Sequence, residues 1–228
     1  MKKKLLIFTL ITICLFGLTA CGKTKVDLND YLIEERNNLF TANDNLYTVT
    51  FSSGLRENDY NYDGVVNEKV DFGILTLIRN DSLPLANDTY TYKITINEEE
   101  FTGNMEKSPI DNSYAVDIEK QVNNDDIINV EIKFTGYTFK QDLTNTSKDF
   151  VVDKNTALNQ ATNELKTEIE NLLKDKNNKI EVVMKILKDS SNTELNRFYW
   201  YVGIISTNGE TLGILIDTNT GEIIAKKV

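Results

Sequence analysis

The sequence predicts a two-domain chain, an all-β antiparallel sandwich followed by an α+β domain, and three observations predict it. Residues 39–147 alternate apolar and polar side chains in run after run, with no helical stretch among them. Near Lys154 the spacing changes to that of a helix with one apolar stripe. Beyond Asp175 further strand-like runs follow, two of them flanking Asn208-Gly209, the strongest short hairpin signal.

The strands of the first domain follow in order. Tyr47, Val49 and Phe51 alternate with threonine and serine, and Phe72 to Ile78 is apolar on both faces, as a central strand is. Tyr90, Tyr92, Ile94 and Ile96 form the next run, then Tyr114, Val116 and Ile118, then Ile128, Val130, Ile132 and Phe134. Turn clusters separate them at Ser52-Ser53-Gly54, Asn80-Asp81-Ser82, Asn97 to Glu100 and Asn123 to Asp126. Many short alternating strands in about 100 residues predict an immunoglobulin-like sandwich over 39–147. A small barrel is the alternative.

In the second domain, 148–228, Asp153 is placed to cap a helix opening at Lys154. Leu158, Ala161, Leu165, Ile169, Leu172 and Leu173 then form the stripe. Strands are predicted from Ile180 to Ile186, Phe198 to Ser206, Thr211 to Asp217 and Glu222 to Ala225. One helix on a four-stranded antiparallel meander is an α+β domain.

The stretch Asp153 to Ala161 resembles the helix start of PepSY-type domains. Phe198 to Val202, Asn208-Gly209 and Ile214 to Ile224 resemble that family's ending, an aromatic strand, a tight hairpin and an Asp-x-x-x-Gly turn. The resemblance covers about a third of the chain. It implies a helix on a four-stranded sheet, and a role in peptidase inhibition or regulation of extracytoplasmic activity. The matching residues are structural: Asp217 and Gly221 shape a turn, while Trp200 and Tyr201 pack.

The N-terminus carries the most specific motif. Lys2, Lys3 and Lys4 precede an apolar run from Leu5 to Leu18, which is too short for a comfortable membrane span and has the form of a secretory signal. It ends in Leu18-Thr19-Ala20-Cys21, which resembles the bacterial lipobox. That resemblance implies a signal peptide over 1–20, a lipidated Cys21 and a polar tether over 21–38 that also has apolar residues to donate to a first strand. The acyl chains would supply the double signal that stable anchoring requires.

Composition narrows the chemistry. Removing residues 1–20 takes away three of the 25 basic residues and none of the 35 acidic ones, leaving a net charge of −13. Such a chain repels nucleic acid and anionic surfaces. Cys14 leaves with the signal and Cys21 is consumed by lipid, so no thiol remains for a disulfide, a metal or a nucleophile. There is no histidine, which removes the serine triad, the commonest general base and most zinc sites. Paired carboxylates remain the enzymatic alternative, and clusters such as Glu98-Glu99-Glu100 read as solvated turns instead.

One loop needs separate treatment. Asp59, Asn61, Asp63 and Gly64 occupy places 1, 3, 5 and 6 of an EF-hand-type calcium loop. Place 12, where the bidentate carboxylate belongs, is Val70, and Glu68 and Asp71 stand at places 10 and 13. The expectation is an acidic turn before the strand at Phe72, closed by neither carboxylate. A weak calcium site, with Kd ~10⁻⁴–10⁻³ M, survives that argument.

The sequence therefore predicts a membrane-anchored extracytoplasmic lipoprotein acting as a non-catalytic binding or regulatory module. Its partners are the lipid bilayer, through Cys21, and an envelope protein or peptide, and no nucleic acid. No catalytic residue, cofactor or metal ligand is assigned. The alternatives are a carboxylate-dependent envelope enzyme and a calcium-rigidified surface protein.

Overall fold

The computed structural model describes residues 26–59, 61–80, 88–109, 113–189 and 197–228. The described strands are β1 (Leu32–Asn43), β2 (Tyr47–Glu57), β3 (Lys69–Arg79), β4 (Tyr90–Ile96), β5 (Glu99–Lys107) and β6 (Ser113–Ile118). They continue as β7 (Ile128–Phe134), β8 (Tyr137–Asn145), β9 (Ile180–Lys188), β10 (Phe198–Ser206), β11 (Thr211–Asp217) and β12 (Ile223–Lys227). Two helices, α1 (Lys154–Glu164) and α2 (Lys166–Leu172), stand between β8 and β9.

Contrary to the sequence expectation, these strands do not form an immunoglobulin-like sandwich followed by a separate α+β domain. They form one twelve-stranded sheet in the order β12-β11-β10-β9-β1-β2-β3-β6-β5-β4-β7-β8, and β1 also pairs with β8. That second pairing, through Phe40 with Asn145 and Thr41 with Thr144, closes eight strands into an antiparallel barrel. A sandwich and a small barrel bury the same alternating pattern, so period two cannot distinguish them. What distinguishes them is whether the outer edges meet, and closure satisfies the edge groups that a sandwich leaves open.

β1 makes the arrangement possible. Its first half, Leu32 to Arg36, pairs in parallel with β9, and its second half completes the barrel. Between them the register against β2 shifts from Arg36 to Asn38, leaving Asn37 unpaired as a bulge. The Asn38 side-chain amide turns inward and donates to the Val122 carbonyl at 2.7 Å. The bend brings β1 so close to β2 that a Cβ at Gly54 would lie 1.8 Å from the Glu35 carbonyl oxygen. Only glycine fits there.

The stretch read as a tether thus donates the first strand, and Leu28, Leu32 and Ile33 are fully or almost fully buried. Its charges had made it look like solvated linker. In the fold the three charges that fall on β1 are paired: Lys154 Nζ lies 2.6 Å from Glu35 Oε2, and Arg36 Nε lies 2.7 Å from Glu34 Oε1.

The barrel interior is filled by side chains such as Phe40, Phe51, Leu75, Ile94, Val130 and Phe139, as eight strands permit. A second core lies between the helices and one face of β9, β10 and β11. There Leu158, Ala161, Leu165, Ile169 and Leu172 meet Val182, Met184, Trp200, Val202 and Ile214. The Asp153 carboxylate caps α1 by accepting from Thr156 N–H at 2.7 Å. The predicted single helix breaks at Leu165, whose backbone leaves the helical region with φ −103° and ψ 11°.

Candidate functional site

Cys21, the predicted lipidation site, lies outside the described residues. Among the described residues no helix is long and apolar enough to cross a membrane.

The acidic loop joins β2 to β3 and is folded upon itself, with Tyr60 outside the described residues. Asn58 N–H donates to the Glu68 carbonyl at 3.1 Å and closes the loop's neck. Asp63 Oδ1 accepts from Val65 N–H at 2.9 Å, and Gly64 turns through the left-handed region at φ +77°. Asp59, Asn61, Asp63, Glu68 and Asp71 are all exposed. Glu68 and Asp71, the carboxylates at places 10 and 13, thus stand on the exposed side of the loop with the other three.

Two other carboxylates reach the loop, and sequence reasoning had overlooked both. Glu57, the last residue of β2, is 0% exposed, and Glu181, the second residue of β9, is 1% exposed. The Asn67 N–H donates to Glu57 Oε1, and the Gly64 N–H donates to Glu181 Oε1. The second oxygen of each carboxylate, Oε2, is buried and has no hydrogen-bond partner among the described residues. Neither glutamate belongs to an ion pair among those residues that the structure records.

The sheet explains how both reach the loop. Glu57 follows the Arg56–Glu34 pair of β2 and β1, and Glu181 precedes the Leu32–Val182 pair of β1 and β9. They thus lie on the two strands flanking β1, whose backbones are about 10 Å apart at the usual strand spacing. Gly64 seats the loop on the far side: a Cβ there would lie 2.5 Å from Lys179 Cβ and 2.8 Å from Thr207 Cγ2. Burial pushes the Glu181 carboxyl above its ordinary pKa, and the nearby charges of Glu57 and Asp63 push the same way. The N–H groups of Gly64 and Asp63 oppose the rise without cancelling it. A single acidic residue inside the apolar run Ile180 to Met184 was the only sequence signal for this pair.

A second polar group lies on the sheet face opposite the helices. Lys185 Nζ stands 5.6 Å from the ring centre of Tyr201, its cross-strand neighbour, and Arg36 pairs with Lys185 in the parallel register. Burial holds the Lys185 ammonium below its ordinary pKa; Arg36 adds to the shift, and Glu34 opposes it. The aromatic strand therefore has two roles. Phe198, Trp200 and Val202 pack in the core, with Trp200 Nε1–H donating to the Val152 carbonyl at 2.7 Å. Tyr199 and Tyr201 face the other way and are half-buried.

The remaining acidic cluster, Glu98 to Glu100, is an exposed turn at the start of β5. Its charges pair with surface lysines, Glu99 with Lys120 at 2.7 Å and Glu100 with Lys93. Among the described residues no three carboxylate, imidazole or thiol side chains converge as a metal-holding group. No family model, no curated protein and no solved structure matches the chain.

Proposed function

We propose that the chain is an extracytoplasmic lipoprotein, anchored in the membrane through acylated Cys21 and acting as a non-catalytic binding or regulatory module. One observation carries this reading: a basic n-region, an apolar stretch of signal length and Leu-Thr-Ala-Cys follow one another at the required spacing. The absence of histidine, and of any cysteine after Cys21, supports the non-catalytic part. The half-buried Lys185, Tyr201 and Arg36, with the buried Glu34, support binding, because they combine a desolvated cation, an aromatic face and an ion pair on adjoining strands of the sheet. Its partner class is an envelope protein or peptide, and regulation of a peptidase follows from the PepSY-type resemblance.

The test is metabolic labelling with an alkyne-bearing fatty acid, followed by cell fractionation. The wild-type chain should carry label in the membrane fraction, and Cys21→Ala should lose the label and remain as unprocessed precursor. Equal labelling of the two would sink the reading.

A further inference from the structure

We propose that the β2–β3 loop and the ends of β2 and β9 form a calcium site, in which Glu57 and Glu181 supply the carboxylates that the loop's own sequence lacks. This goes beyond the binding role above and does not depend on it. The loop has the oxygen-bearing spacing of a calcium loop through Gly64 and then fails at Val70. The fold brings two buried carboxylates against that loop, Glu57 from the strand end beside it and Glu181 from β9. Each has one oxygen held by an amide of the same loop and the other buried without a partner among the described residues, and the two are close enough for the charge of Glu57 to act on Glu181.

Burying two like charges with no basic partner is costly, and the cost disappears only when both are neutralised. One shared proton neutralises one of them. A divalent cation neutralises both and supplies a partner for both orphan oxygens at once. The available donors are carboxylate, amide and backbone oxygens, with no imidazole or thiolate, which selects a hard cation. Calcium tolerates mixed, irregular oxygen ligands and retained water, whereas magnesium demands near-octahedral geometry. Two carboxylates completed by loop oxygens and water would satisfy calcium without a group of three acidic side chains.

The experiment uses the full-length chain in detergent micelles. Thermal melting is compared in chelator and in calcium at about 10 mM, ten times the weak end of known extracellular sites. Terbium binding is read in parallel through tyrosine-sensitised emission and its displacement by calcium. At saturation near 100 times Kd, calcium should raise Tm by about 5–10 °C. Magnesium should do less. Glu57→Gln and Glu181→Gln keep the oxygen that accepts the loop amide, and each should weaken calcium and terbium binding at least about tenfold, a loss of the size set by one charged ligand.

A wild-type chain whose melting ignores calcium, and whose terbium emission calcium does not displace, overturns the proposal. So does a calcium-independent gain in Tm in either glutamine variant, which would mark a proton-sharing pair instead. Should a glutamine variant fail to fold, the two wild-type measurements decide.

Discussion

Gly64 is the residue on which the loop's position rests. Its φ of +77° excludes ordinary side chains, and its missing Cβ makes room for Lys179 and Thr207. Gly136 provides a control, since φ is +76° there but nothing lies within 4 Å of a Cβ. Gly136→Ala should therefore cost only the left-handed penalty, about 1–2 kcal/mol, and Gly64→Ala clearly more. Denaturant midpoints of the two variants measure the difference, and equal midpoints would mean that the loop is not seated on Lys179. Asp153 gives a pH signature at the same scale. The Thr156 N–H holds its carboxyl below the ordinary range, so the folded pKa is depressed. Such a group contributes stability above its unfolded pKa of about 4, and the contribution is lost as pH falls through the folded value. Asp153→Ala should cost about 1 kcal/mol near neutral pH, and its gap from wild type should narrow between about pH 5 and pH 2. A gap independent of pH would show that the carboxylate charge has no part in the cap.

At the scale of elements, β1 shows why a polar strand was hard to see. Leu-Ile-Glu-Glu-Arg-Asn-Asn-Leu-Phe has no clean alternation, because its two halves serve different neighbours and a bulge at Asn37 resets the register. Its charges are tolerated by pairing. Lys154, at the start of α1, reaches Glu35 on the helix-covered face, so this ion pair ties the strand to the helix. Lys154→Met leaves Glu35 buried without its cation and should cost about 2–4 kcal/mol, somewhat below a fully buried pair. The double change with Glu35→Gln should recover part of that loss in urea unfolding. No recovery would mean that the lysine acts through its stem alone. The helix stripe, by contrast, was legible residue by residue. Leu158, Ala161, Leu165, Ile169 and Leu172 all face the core, because a one-sided helix has only one way to bury its stripe.

For the whole molecule, the consequence of a shared strand is cooperativity. β1 contributes Leu32 and Leu39 to the helix-side core and Phe40 and Ala42 to the barrel core. Neither core can lose β1 without exposing the other. Calorimetry of the intact chain should therefore show one transition with matching van't Hoff and calorimetric enthalpies. Two separated transitions would show that the cores unfold independently. The sequence by itself determined many local features: most strand runs, the helix stripe and its cap, the Asn208-Gly209 hairpin, the signal-like N-terminus and the poverty of catalytic side chains. Each of these depends on residues close together in the chain, where periodicity and turn chemistry act. The sequence reading missed β5 and β8 and placed a turn at Ser52-Ser53-Gly54, which lies inside β2. Only the tertiary structure decided that eight strands close into a barrel, that four more extend the same sheet, and that Glu57 and Glu181 both hold amides of the acidic loop. Those outcomes depend on which strand edges find each other, and residues 57 and 181 reach the same loop because β1 pairs with both β2 and β9.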